Sequence, residues 1–198
     1  MVEDLCFHLV DLVQNSVAAG ARTVRVCVTE SAVGDSLTLE VADDGRGMDR
    51  QTLGKVQDPF FTTKSFKKVG LGIPLLKATA QACHGNFRIA SRPGQGTQVR
   101  ARLQRSHLDC PPLGDLEETL LTLLVSLERV SLRFTYRGDN GEFSLASDEI
   151  RLQVGDLHFS HPEIYQFLKD YIHEGLGAML AAGAAASSSP SGGAGRAV

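Results

Sequence analysis

No stretch of this 198-residue chain approaches the ~20 consecutive apolar residues that a membrane helix needs, so a transmembrane span is not expected. Positive charge is not in excess either. Twenty Lys and Arg stand against 23 Asp and Glu, and the formal net charge of -3 gives no support to nucleic acid as the main partner. The four cysteines, Cys6, Cys27, Cys83 and Cys110, lie far apart, with no close Cys or Cys/His pair of the kind that holds zinc and no secretory leader ahead of them. They are expected to be reduced thiols in a cytoplasmic protein. What remains is an ordinary globular composition, 42% hydrophobic and 22% charged, sufficient for one substantial core or a core with a small appendage.

Periodicity supplies the frame. Leu5, Leu9, Leu12, Val13 and Val17 recur at helical spacing and Gly20 is placed to end that helix, which predicts an amphipathic helix over about 3–19. Val24, Val26 and Val28, then Leu37, Leu39 and Val41, alternate with other residues, predicting two strands joined by a turn at Gly34–Asp35. A helix from about Ile73 to Cys83 is followed by two further strands, near Asn86–Ser91 and Thr97–Leu103, with "RPGQG" between them. Helix, two strands, helix, two strands is the order of an α+β protein, a two-layer α/β sandwich, and differs from the alternating order of a parallel-sheet nucleotide fold.

Three polar groups stand out on this frame. Asp11 and Asn15 are four apart on the first helix and project from one face, where a carboxylate can position a water and an amide oxygen can ligate a hard cation such as magnesium. The plain alternative is the solvated side of an amphipathic helix. In "DDGRGM", Asp43 stands at a strand end, and Gly45 and Gly47 allow a sharp turn and the approach of a flat ligand. A carboxylate there can accept a hydrogen bond from an exocyclic amine, although a simple Asp-Gly turn reads the same way. The third group is "DPFFTTKSFKKVGLGIPL", residues 58–75. Its glycines before a helix offer free backbone N–H groups to an anion, and Thr62, Thr63, Lys64, Ser65, Lys67 and Lys68 add hydroxyls and positive charge, as in a lid that closes over phosphates. A glycine-rich loop that only caps the helix is the alternative.

Their order carries more than any one of them. Asp11-x-x-x-Asn15, Asp43-x-Gly45-x-Gly47, "PFFTTK", Gly70-x-Gly72 and "GQGT" at Gly94–Thr97 resemble the successive boxes of the GHKL (Bergerat-fold, histidine-kinase-like) ATPases, over roughly residues 5–104. The stretch from "DPFFTTK" to "QVRARL" looks most like the catalytic domain of nitrogen-regulator-type histidine kinases, whereas "DLVQNSVAAGARTVRV" looks like the first box of the mismatch-repair ATPases. The resemblance implies a cofactor, Mg-ATP. By it, Asn15 binds magnesium and Asp43 the adenine amine; Gly45, Gly47 and Met48 shape the adenine pocket; and Thr97 supports the Asp43 contact. It likewise gives the phosphates to Thr62, Thr63, Lys64 and the backbone of Gly70, Leu71 and Gly72. Asp11 occupies the place of a general base that is glutamate in hydrolytic members. Aspartate reaches about 1.5 Å less, which bears on water activation.

Residues 1–105 are thus expected to form the ATPase domain, 106–177 a small α+β module and 178–198, "AMLAAGAAASSSPSGGAGRAV", a disordered Ala/Ser/Gly tail. In the second module Leu116, Leu120, Leu123, Leu124 and Leu127 predict a helix and Val130, Leu132, Phe134 and Tyr136 a strand. "RGDNGEF" then turns into another strand, and Ile164 to Leu176 mark a final helix. At about seventy residues this module is small for a core of its own and is expected to dock on the ATPase domain. The whole arrangement, including "SHLDCPPLGDLEETLLTLL", is similar to short stand-alone bacterial ATP-binding proteins encoded beside iron-only hydrogenase subunits, so a hydrogenase component or a phosphoacceptor protein is the implied partner. With fewer than five residues ahead of the first helix in this sequence, dimerising histidine helices are not expected before it. The expected activity is that of a kinase or ATPase acting on a separate protein, with a non-catalytic, anti-sigma-like nucleotide-sensing module as the alternative. His107, beside the helix-breaking Pro111 and Pro112, is expected to be structural.

Overall fold

A computed structural model of the chain describes residues 4–57, 72–127, 129–155 and 157–187. The first helix, α1, spans Leu5–Ala18, with Asp4 as its N-cap accepting from the Phe7 N–H at 2.9 Å. Its buried stripe is Leu5, Leu9, Leu12, Val13 and Ser16, and Gly20 at φ 76 lies just past its end. Strands β1 (Thr23–Ser31) and β2 (Ser36–Asp43) form the anticipated hairpin. Next come a short helix α2 (Arg50–Lys55), capped by Asp49, and α3 (Gly72–Ala82), β3 (Asn86–Ser91) and β4 (Thr97–Gln104). The chain continues with α4 (Leu116–Ser126), β5 (Ser131–Gly138), β6 (Gly141–Ala146), α5 (Ser147–Val154) and α6 (Pro162–Ser187).

All six strands belong to one sheet, ordered β3-β4-β2-β1-β5-β6, antiparallel at every junction except β1 with β5. Alternation decides which side is covered. Val24, Val26, Val28, Leu37, Leu39, Val41, Val99, Ala101, Leu103, Leu132, Phe134 and Tyr136 all face the helices and are buried. On that side α3, α1, α4 and α6 lie next to one another in that order. The result is a two-layer α/β sandwich of the α+β class, as the sequence pattern predicts.

The segment after residue 105 extends the first core. β5 pairs along β1 from Thr23↔Ser131 to Thr29↔Arg137, so the sheet and the hydrophobic core run through both parts of the chain. The connection between them also closes the start of α1, where the N–H groups of Leu5 and Cys6 donate to the carbonyls of Pro112 and Leu113. A polar clasp adds to this: the Tyr136 hydroxyl donates to Glu30 Oε2 at 2.7 Å, and Arg105 Nε meets Glu30 Oε1. Burial, then the Glu30 carboxylate, push the Tyr136 phenol well above its ordinary range. His107 packs edge-on against His84, ring centroids 4.3 Å apart, and its Nδ1 accepts from the Asp109 N–H.

Three features differ from the expectation. Helices α2 and α5 are too short to leave a readable period, and each follows directly on a glycine-rich loop or a strand. The last helix runs through residue 187, ten residues into the stretch expected to be a disordered tail, because alanine is the strongest helix former and α6 is already nucleated by its packed first turns. Residues 188–198 lie outside the described residues.

Candidate nucleotide site

A cavity of about 650 Å³ opens between α1, α2 and the β3–β4 turn, over the end of the β2–β4 ladder. Its floor is polar at one point. Asp43, the last residue of β2, accepts from the Ser16 hydroxyl at 2.9 Å through Oδ2, and from the N–H groups of Gly45 at 2.9 Å and Thr97 at 3.3 Å through Oδ1. Ser16 has one proton and two acceptors in reach, Asp43 and the Leu12 carbonyl at 3.1 Å; the charged acceptor is the stronger. Three donors leave a carboxylate with acceptor capacity for one more, and Asp43 lines the cavity. Leu12, Val41, Ile73 and Val99 give apolar walls and Met48 joins the rim.

Two glycines let the loops close over this floor. Gly47 has φ 64 and a Cβ there would overlap the Arg92 carbonyl; Gly96 has φ 81 and a Cβ would overlap the carbonyl of Asp43. The Arg46 carbonyl accepts from the Gly94 N–H at 2.8 Å, and the Met48 N–H donates to Ser91 Oγ at 2.8 Å. Behind them Asp44 Oδ1 takes the N–H groups of Arg22 and Thr23, and these bonds to Thr23 and Arg22 hold its carboxyl below the usual range.

The structure brings Asn15, Asp43, Gly47, Met48 and Thr97 to one cavity, with Gly45 at its edge beside Ala19. Thr97 reaches Asp43 through its backbone N–H, while its hydroxyl engages Ser91 Oγ at 2.9 Å. Asp11 is not among the lining residues. Its Oδ2 accepts from Asn15 Nδ2 at 3.0 Å, and a Cβ on Gly72 would overlap that carboxylate, so α3 starts in direct contact with α1. Holding Nδ2 on Asp11 makes Oδ1 the acceptor end of the Asn15 amide. One such neutral oxygen suits a cation that keeps several waters and takes its other ligands from phosphates. Thr62, Thr63, Lys64, Gly70 and Leu71 lie outside the described residues.

Sequence reasoning missed Ser16, Ser91 and Asp44. Ser16 carried a signal: it stands four residues after Leu12, on the apolar stripe of α1, where a buried hydroxyl requires a partner. Ser91 and Asp44 gave none, because their partners are found only once the β3–β4 ladder and the two loops are assembled.

A helix-backed mixed sheet with this floor and these two glycine loops defines an ATPase domain of the histidine-kinase type. The family model of histidine kinase-, DNA gyrase B- and HSP90-like ATPases matches residues 3–107, and the chain belongs to that family. It is similar to the sensor protein kinase FleS of Pseudomonas aeruginosa, 44% identical over 89 residues, which are 45% of this chain and 22% of that protein. It is also similar to the signal transduction histidine-protein kinase AtoS of Escherichia coli, 34% identical over 89 residues, covering 44% of this chain and 14% of that one. The chain thus spans less than a quarter of the length of either relative. Among solved structures the N-terminal domain of a DNA repair protein shares the fold, with a TM-score of 0.51 and 12% identity over 73% of this chain and 52% of that one. Among the described residues no helix is long and apolar enough to cross a membrane.

Proposed function

We propose that the cavity binds Mg-ATP and that the chain is a kinase or ATPase component that works on a separate protein partner. The observation that carries the reading is Asp43: a carboxylate held by three donors on the floor of a cavity with apolar walls is the acceptor an adenine amine requires. Gly45, Gly47 and Met48 would bound the ring, Asn15 Oδ1 would take magnesium, and Thr62, Thr63, Lys64 and the backbone of Gly70, Leu71 and Gly72 would meet the phosphates. ATP would supply the phosphoryl group. What this chain's residues do is orient it, exclude water and place Asp11 one helical turn from Asn15. The histidine kinases among its relatives support phosphotransfer to a protein. A hydrogenase component is a candidate partner on sequence resemblance alone.

One observation favours the second reading, a nucleotide-sensing module with incidental turnover. The Asp11 carboxylate is engaged by Asn15 and pressed on Gly72, and it is not on the cavity wall. Calorimetric titration with ATP, with and without magnesium, tests the shared proposal; absence of binding would end both readings. Incubation of the full chain with γ-labelled ATP, alone and with cell extract, separates them, since label on an added protein supports the kinase and a bound but unconsumed nucleotide the sensor.

A further inference from the structure

The sheet has a second face, and its composition is unlike the rest of the chain. Strand residues that point away from the helices include six arginines, Arg25, Arg88, Arg100, Arg102, Arg133 and Arg137, against two glutamates, Glu40 and Glu142. The chain as a whole carries a net charge of -3. All six arginines are exposed. Between them stand Thr29, Thr38, Gln98, Thr135 and Ser144, with neither lysine nor an aromatic at any outward strand position.

The strand register makes this face costly to the fold. Arg88 lies directly opposite Arg100 across β3 and β4, and Arg25 opposite Arg133 across β1 and β5. Like charges at directly paired positions oppose strand pairing. Intramolecular carboxylates relieve only part of this: Arg100 is 3.8 Å from Glu40, Arg133 3.3 Å from Asp148 and Arg137 2.6 Å from Glu142. Arg25, Arg88 and Arg102 have no ion pair or hydrogen bond among the described residues. Two of these three cations, Arg25 and Arg88, sit directly opposite another arginine.

We propose that this open sheet face is a docking surface for an acidic segment of a partner protein, whose carboxylates pair with Arg25, Arg88 and Arg102. Charge complementarity selects the occupant. Guanidinium forks match carboxylates two bonds at a time, and the face uses arginine throughout although the chain contains six lysines. A single-stranded nucleic acid would need aromatic platforms for its bases, and an anionic membrane would need large apolar side chains to insert; the outward strand positions hold no aromatic and nothing apolar larger than Ala and Cys. The surface is separate from the nucleotide cavity, which opens at the strand ends on the helix side. The two sites are therefore testable independently.

The test is fluorescence anisotropy of a labelled poly-glutamate peptide on the full chain with excess ATP present, compared with an oligo-dT strand and with phosphatidylserine vesicles. The peptide should bind, weaken as salt rises, and lose at least about tenfold in affinity when Arg25, Arg88 and Arg102 are all changed to Gln. ATP affinity should stay within about twofold, and the triple variant should melt no lower than the parent because repulsion is relieved. An Arg→Lys triple variant should fall between the two. The proposal is overturned by any of four results: no peptide binding, equal binding by the Gln variant, tighter retention of oligo-dT or vesicles, or a sedimentation shift showing that a second copy of the chain occupies the face. A markedly lower melting temperature of the Gln variant would also overturn it, since the arginines would then serve the fold.

Discussion

Replacing Asp43 by Asn changes one atom in the site, and the surroundings decide which way the amide turns. Oδ1 accepts from two backbone N–H groups, that of Thr97, which is paired with Asp43 in the β2–β4 ladder, and that of Gly45 two residues on in the loop. The amide oxygen must therefore take that place, and Nδ2 must take the place of Oδ2. Ser16 tolerates this, because its proton can turn to the Leu12 carbonyl at 3.1 Å and its oxygen can then accept from Nδ2. Stability should change by less than about 1 kcal/mol, the net worth of one ordinary hydrogen bond. Adenine has no such escape. A charge-assisted bond of roughly 1.5–3 kcal/mol is lost, and the amine is left buried against another donor at a further 1–3 kcal/mol. Together these are a loss of roughly 2.5–6 kcal/mol, a weakening of about 10²- to 10⁴-fold. The same rotated amide offers a donor to a 6-oxo purine, so inosine triphosphate should bind the Asp43→Asn protein better than it binds the parent. Calorimetry with both nucleotides reads the two changes, with thermal unfolding as control. Equal ATP affinity in parent and variant, with the fold intact, would show that adenine does not meet Asp43.

Asp11→Asn preserves the acceptor that holds the Asn15 amide, so ATP binding should persist, while turnover should fall by roughly 10²–10⁴-fold if Asp11 is a general base. Unchanged turnover leaves the sensor reading. Gly72→Ala should lower the melting temperature and weaken adenosine as well as ATP, since the new methyl overlaps the Asp11 carboxylate; adding Asp11→Ala should restore much of the stability, and failure of that rescue would mean that the contact is not the cause. Lys64→Ala should weaken ATP far more than adenosine, and equal weakening of both would remove it from the phosphates. Purified protein given labelled ATP and magnesium should yield no acid-labile phosphohistidine at His107, whose ring packs edge-on against His84; an alkali-stable label that vanishes in His107→Ala would reverse that assignment.

Helix α1, the β1–β2 and β3–β4 hairpins and the residues of the glycine loops were legible in the sequence, because each rests on local rules: period 3.6 or 2, and turns that only glycine enters easily. The ordered boxes around Asp11, Asn15, Asp43 and Gly72 were legible for the same reason, as short runs with fixed spacing. Long-range pairing decided the rest. That Ser16 and the Thr97 N–H meet on Asp43 depends on α1 lying under the ends of β2 and β4, a placement that no window of sequence contains. That Asp11 abuts Gly72 depends on the contact of α1 with α3, across a stretch of sixty residues. The joining of residues 106–187 to the first sheet depends on β5 choosing the free edge of β1, where its apolar face continues the core and its outward arginines line up with those of β3, β4 and β1. Amino-acid order determined which residue types alternate along each strand; only the register between strands set like charge against like charge and left that face open.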